Sequence, residues 1–155
     1  METILVVCVG NICRSPVAAA LLKAQFPEKN VFSAGIAALE GAGADATAQD
    51  IASRHGIDLS GHRAQQLSGW MCEQADLILV METGHQRLLE RKYPSARGKI
   101  FCLGRYGDDG PFEIEDPYRQ GLAAFEKAHT LIDRGIRHWV HRIESLATRS
   151  GSLNT

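Results

Sequence analysis

Two continuous apolar runs, Ile4 to Val7 and Leu77 to Val80, interrupt a chain whose other segments alternate or follow helical spacing. Runs without polar alternation mark central parallel strands with helices on both faces, so these two are predicted to lie side by side. Val31 to Ile36 and Lys99 to Leu103 read as two more short strands. Between the strands the period changes to that of helices. Pro16 to Phe26 puts Val17, Ala20, Leu21 and Ala24 on one face, with Ser15 suited to the N-cap and Pro16 to the first helical position. Asp45 is placed to cap a helix carrying Ala48, Ile51 and Ala52 that stops before Gly56, and Thr83 one carrying Leu88 and Leu89 that ends near Tyr93-Pro94. Ala37 to Ala44 and Gly104 to Pro117 read as loops, and Ile57 to Glu73 as short helical turns. Leu122, Phe125, Ala128, Ile132, Ile136, Trp139, Ile143 and Leu146 then recur at spacings of three and four, the stripe of one long amphipathic helix. The polar, aperiodic residues 148–155 are expected to fray. Strands alternating with helices predict an α/β fold, one domain over residues 1–147, with right-handed crossovers.

Composition narrows the function classes. The chain has 155 residues and a formal net charge of −1, enough length for a core without staples and too little charge for a basic nucleic-acid groove or an anionic membrane surface. The first apolar run is too short to span a bilayer and no basic segment precedes it, so a cytoplasmic location without membrane insertion is expected. The four cysteines, at 8, 13, 72 and 102, are irregularly spaced, which disfavours a disulfide framework. Only Cys8 and Cys13 are near neighbours, and no second short pair or histidine pair completes a zinc set. No metal and no cofactor are expected.

Candidate chemistry gathers where the first strand ends. Cys8 is followed by Val9, Gly10, Asn11, Ile12 and Cys13, then Arg14, Ser15 and Pro16 at a helix start. Backbone N–H groups curled at a helix N-terminus bind anions, and a thiol placed there beside a guanidinium ionises readily. Cys8 is therefore read as a nucleophile and Arg14 as a planar fork for two phosphoryl oxygens, with the N–H groups of residues 9 to 14 taking the rest. A Gly-Lys-Ser/Thr ending is missing, so the loop is not that of a nucleotide-binding P-loop. Attack on phosphorus expels an alkoxide or phenoxide that needs a proton, and Asp116, stiffened by Pro117, is the candidate acid, with Tyr118 as a wall for a substrate ring. Taken alone, Cys8 also fits an inert core position and Asp116-Pro117-Tyr118 a plain turn. The rival from another class is a phosphate-binding or redox-sensing module without turnover. Since Cys8 and Cys13 share one curled loop, Cys13 is also a candidate redox partner for an oxidised Cys8. Asp108, Asp109, Glu113 and Glu115 precede Asp116 and are expected to repel acidic residues in a substrate.

Val7 to Pro16 together with Asp116-Pro117-Tyr118-Arg119 resembles the low-molecular-weight protein tyrosine phosphatases, and the similarity extends over nearly the whole chain. Ser33-Ala34-Gly35, Ser60-Gly61-His62 and Leu77 to Glu82 resemble the bacterial branch associated with tyrosine kinases of capsule and exopolysaccharide export. The resemblance implies a four-stranded parallel sheet flanked by helices, the phosphotyrosine phosphatase I-like fold. It also implies Cys8 as nucleophile, Arg14 as clamp, Asp116 as acid and then base, and Asn11, Ser15, Ser33 and His62 as a polar network supporting the loop. The implied partner is a phosphotyrosine-containing protein, a bacterial tyrosine kinase among them. Related arsenate reductases carry extra cysteines after the third strand, absent from Met81 to Glu90; related arginine phosphatases carry Thr where this loop has Ile12. Both differences favour an aryl phosphoester. Leu39 stands where eukaryotic relatives place an aromatic, so the wall formed by Ile12, Leu39 and Tyr118 is expected to be less selective.

Overall fold

Cys8 ends β1 (Thr3–Cys8), the strand around which the computed structural model is built; backbone is described for residues 1–153 and side chains through Thr148. β2 (Asn30–Gly35), β3 (Leu77–Val80) and β4 (Ile100–Cys102) join it in the order β2-β1-β3-β4, all parallel. The two apolar runs are neighbours, with Ile4 opposite Leu77 and Val7 opposite Val80. Within each run successive residues point to opposite faces. Ile4, Val6, Leu77 and Leu79 join a core with Val17, Leu22, Ile132, Ile136 and Ile143, whereas Leu5, Val7, Ile78 and Val80 pack with Met71 and Leu89. Both faces are dry, so the sequence shows no alternation. Each such side chain contributes about 1.5–3 kcal/mol by leaving water, and a polar residue anywhere in either run would break a core.

The helices are α1 (Arg14–Gln25), α2 (Ala46–Arg54), α3 (Gly69–Gln74), α4 (Thr83–Lys92) and α5 (Leu122–Leu153). Asp45 caps α2, its Oδ1 accepting from the N–H groups of Thr47 at 2.8 Å and Ala48 at 3.2 Å. Other caps differ from local expectation. α1 starts at Arg14 with Cys13 at its N-cap and no side-chain cap bond, so Ser15 and Pro16 lie inside its first turn. Its fully buried apolar side is Val17, Ala18 and Leu22, while Ala24 is exposed; an alanine-rich helix has no strong stripe of its own, and packing against the sheet and α5 chooses the face. Glu82, not Thr83, is the N-cap of α4. Of the segment 57–73 only its last residues are helical, in α3, and Gln66 instead bridges to Gly35 at the edge of β2. α5 extends past Thr148 to Leu153, with no proline in that stretch to stop it. Residues 154–155 lie outside the described residues.

Among the described residues no helix is long and apolar enough to cross a membrane. The chain leaves β1 toward β2 on one side and later returns to place β3 on the other. That reversal opens a crevice at the carboxyl ends of β1 and β3, where ligands of such sheets bind.

Candidate active site

The crevice is floored by the loop from Cys8 to Ser15. Its carbonyl oxygens are drawn outward one after another: Cys8 O accepts from Ile36 N at 2.9 Å, Val9 O from Ala37 N at 2.9 Å, Gly10 O from Leu39 N at 3.1 Å and Ile12 O from Asp45 N at 2.9 Å. Asn11 O pairs with His62 Nε2 at 2.6 Å. In a trans peptide the carbonyl and the next N–H point in opposite directions, so the N–H groups of Gly10, Asn11, Ile12 and Cys13 turn inward. Asn11 makes the reversal at φ +58°, a conformation asparagine tolerates better than most residues. Gly35 allows the loop to sit this close, since a Cβ there would meet Val9 O at 2.6 Å.

The network around Asn11 is buried and almost saturated. Asn11 Nδ2 donates to Ser15 Oγ at 2.8 Å and Ser33 Oγ at 3.0 Å, and its Oδ1 accepts from Gln65 N at 3.0 Å. Because Ser15 Oγ accepts from Asn11, its hydroxyl hydrogen is free for Cys8 Sγ, 2.9 Å away. Asn11 N donates to the same sulfur at 3.3 Å. Asn11 and Ser15 of the loop, Ser33 of β2 and His62 therefore form one network drawn from three segments, which touches the thiol through Asn11 N and Ser15 Oγ. The hydroxyl of Ser15 serves the sulfur rather than the helix end, which is why it makes no cap.

Arg14 is 1% exposed. Its Nη1 donates to Glu82 Oε2 at 3.0 Å and to Ile114 O at 2.8 Å, and its Nη2 lies 3.7 Å from Asp116 Oδ2. Its Nε is buried without a protein partner, an unusual state for a charged donor and the one an incoming oxyanion would relieve. Asp116 Oδ1 accepts from Tyr118 N at 3.1 Å, closing the turn that aims the carboxyl. Cys8, Val9, Gly10, Ile12, Cys13 and Arg14 below, with Ala37, Leu39, Asp116 and Tyr118 at the rim, enclose a cleft of about 150 Å³. Leu39 and Tyr118 are solvent-exposed, Ile12 is buried, and the Arg119 guanidinium lies 5.0 Å from the Tyr118 ring.

Cys13 lines the same cleft but packs with Ala48, Ile51, Ala64 and Phe125. Burial, with the nearby charge of Asp45, pushes its thiol well above the usual range. Within the acidic stretch, hydrogen bonds from the Thr83 side chain and from Thr83 N, the latter to Glu113 Oε1 at 2.7 Å, hold the Glu113 carboxyl below the usual range, and Asp108 faces His138 at 3.5 Å. Glu82 and the Ile114 carbonyl were not legible as the anchors of Arg14. A signal existed for Glu82, which stands just past β3 at the carboxyl edge where Cys8 ends β1. Among the described residues no group of three or more His, Cys, Asp or Glu side chains is arranged to hold a metal ion.

A thiol under converging N–H groups, a guanidinium anchored beside it and a carboxyl lining the same cleft form, on this sheet, a site suited to a phosphoryl group. The chain belongs to the low molecular weight phosphotyrosine protein phosphatase family, which its residues 3–149 match. It is accordingly a protein-tyrosine-phosphatase, a metal-independent phosphoric monoester hydrolase. It is 50% identical over 146 residues to the probable low molecular weight protein-tyrosine-phosphatase EpsP of Ralstonia solanacearum, covering 94% of this chain and 99% of that one. The tyrosine phosphatase Wzb from Escherichia coli K30, solved in complex with sulphate, superposes with a TM-score of 0.87 at 39% identity, covering 92% of this chain and 98% of Wzb. The YwlE arginine phosphatase from Geobacillus stearothermophilus superposes with a TM-score of 0.89 at 31% identity, covering 96% and 97% of the two chains.

Proposed function

We propose that the chain hydrolyses protein phosphotyrosine through a phosphocysteine intermediate. The Cys8 thiolate attacks phosphorus, forming an S–P bond as the P–O bond to the tyrosine ring breaks, and Asp116 gives its proton to the departing phenoxide. Water then attacks the thiophosphate, Asp116 takes a proton from it, and inorganic phosphate leaves with Cys8 restored. Arg14 and the inward N–H groups of the loop, those of residues 10 to 13 among them, hold the three equatorial oxygens throughout. Asn11, Ser15, Ser33 and His62 keep the loop in shape, and Ile12, Leu39 and Tyr118 flank the ring. The observation that carries this reading is the buried, unpartnered Nε of Arg14, in a residue that lines one cleft with a sulfur already accepting from Asn11 N.

The same fold serves an arginine phosphatase in a relative, so the ester itself must be tested. An apolar, buried Ile12 at the base of the cleft suits a flat ring better than a second guanidinium. Phosphotyrosine peptides should be hydrolysed with at least a hundredfold higher kcat/KM, on the order of 3 kcal/mol in transition-state binding, than phosphoarginine peptides of the same sequence. The reverse preference would overturn the assignment.

The physiological substrate is proposed to be a bacterial tyrosine kinase, or proteins it phosphorylates, in exopolysaccharide production, which places the enzyme in the cytoplasm where ATP is used. Support comes from the segments shared with that branch and from the extent of similarity to EpsP. Cys13 is proposed as the redox partner of Cys8: peroxide oxidises the Cys8 thiolate to a sulfenic acid, Cys13 attacks it, and a disulfide forms with loss of water. Burial opposes this by keeping Cys13 protonated, since only the thiolate attacks. After peroxide treatment and then thiol, Cys13→Ser should recover several-fold less activity than the unaltered protein, on the order of the difference between reversible and irreversible oxidation; equal recovery would remove the role.

A further inference from the structure

We infer that His85 is a positioning residue that holds Glu82, and through it Arg14, in the geometry the phosphoryl group requires, an inference that rests on the phosphatase reading above. Glu82 is the N-cap of α4 and His85 lies three residues on, so both face the same side of the first turn. One carboxylate oxygen, Glu82 Oε2, accepts from Arg14 Nη1 at 3.0 Å, and His85 Nε2 lies 3.2 Å from the same oxygen. The two hydrogens of Arg14 Nη1 are thus taken by Glu82 and by Ile114 O. That anchors one end of the guanidinium and leaves the edge formed by Nε and Nη2 for two phosphoryl oxygens, the paired geometry a planar fork offers.

Glu82 needs such a holder. Its side chain is 31% exposed, against 1% for Arg14 and 15% for His85, so without a second contact it would be free to turn toward water and release Arg14. Burial pushes His85 below the usual imidazole range; Glu82, Glu113 and Asp116 oppose that shift and Arg14 adds to it. The ring is therefore neutral at pH 7, and we place its hydrogen on Nε2, the nitrogen that faces Glu82. Nδ1 is then a bare acceptor, which agrees with its burial without a partner, since an orphaned N–H would cost more. A neutral donor fixes the carboxylate while leaving its whole charge facing Arg14, which a lysine or a charged histidine would not do.

The test compares His85→Leu, which removes the donor, with His85→Gln, which keeps a neutral N–H of similar reach. With inorganic phosphate as the ligand and an aryl phosphate as substrate, His85→Leu should weaken phosphate inhibition and lower kcat/KM by roughly ten- to a hundredfold, the scale on which outer partners of site ligands act. His85→Gln should recover most of the loss. On a Glu82→Gln background, His85→Leu should add little, because both substitutions break one chain of contacts. A lowered melting temperature with unchanged phosphate affinity, additive losses, or equal impairment in His85→Gln and His85→Leu would each overturn the role. If the unaltered protein neither bound phosphate nor cleaved the ester, the phosphatase reading would fall and this inference with it; a competent parent with an unaffected His85→Leu overturns only the latter.

Discussion

Replacing Cys8 with serine should lower kcat for aryl phosphates by on the order of 10⁵ to 10⁶, the scale of removing a nucleophile from an otherwise intact site, while leaving the fold and phosphate binding in place. The reason lies in what the loop holds constant. Ser15 Oγ and Asn11 N lie 2.9 and 3.3 Å from the sulfur, and a hydroxyl oxygen can accept the same two donors. The N–H groups of residues 10 to 13 and the guanidinium stay where backbone bonds and Glu82 put them. What disappears is the thiolate, because a serine hydroxyl is not ionised near neutral pH and no base adjoins it here. The substituted protein should therefore bind its substrate and keep it. Stopped-flow phenol release measures the loss, and a pull-down of tyrosine-phosphorylated protein from a bacterial lysate should retain the proposed kinase. Turnover within tenfold of the parent would show that Cys8 is not the nucleophile; retention of phosphoproteins without any kinase or kinase substrate would overturn the proposed partner.

Asp116→Asn should produce a loss that depends on the leaving group. Phenyl phosphate and phosphotyrosine depart as strongly basic phenoxides and need a proton, so their hydrolysis should slow by about 10²- to 10⁴-fold. Aryl phosphates with strongly electron-withdrawing rings depart almost unaided and should lose far less in the first step. Asparagine keeps the shape and can still accept from Tyr118 N, the bond that closes the turn at 3.1 Å, so the comparison isolates the proton. It also removes the negative charge 3.7 Å from Arg14 Nη2, which should leave phosphate binding equal or tighter. A plot of kcat against leaving-group pKa, steep for Asp116→Asn and shallow for the parent, is the measurement; parallel lines would take the acid role away from Asp116.

Readings that failed were those in which a side chain had two uses. Ser15 and Pro16 have ideal residue types for a helix start, yet the helix begins at Arg14 and Ser15 serves the sulfur. A side-chain N-cap contributes about 0.5–2 kcal/mol, and Ser15 forgoes it for the sulfur and Asn11 Nδ2. Leaving Glu113 as one of four like charges missed that Thr83 N would claim it at the start of α4.

Two kinds of information were already present in the chain. The unalternating runs Ile4 to Val7 and Leu77 to Val80 determined a doubly covered parallel sheet, since only strands dry on both faces can be apolar throughout. Cys8 through Ser15 determined an anion loop, because its parts are separated by a few bonds and little folding is needed to bring them together. Arg14 and Glu82 stand 68 residues apart, and Arg14 and Ile114 stand 100 apart; no local pattern links them. The crossing of the chain from β2 to β3 brought those segments to one crevice, and only that tertiary placement decided which edge of the guanidinium is left free, where Asp116 stands, and that His85 has a carboxylate to hold.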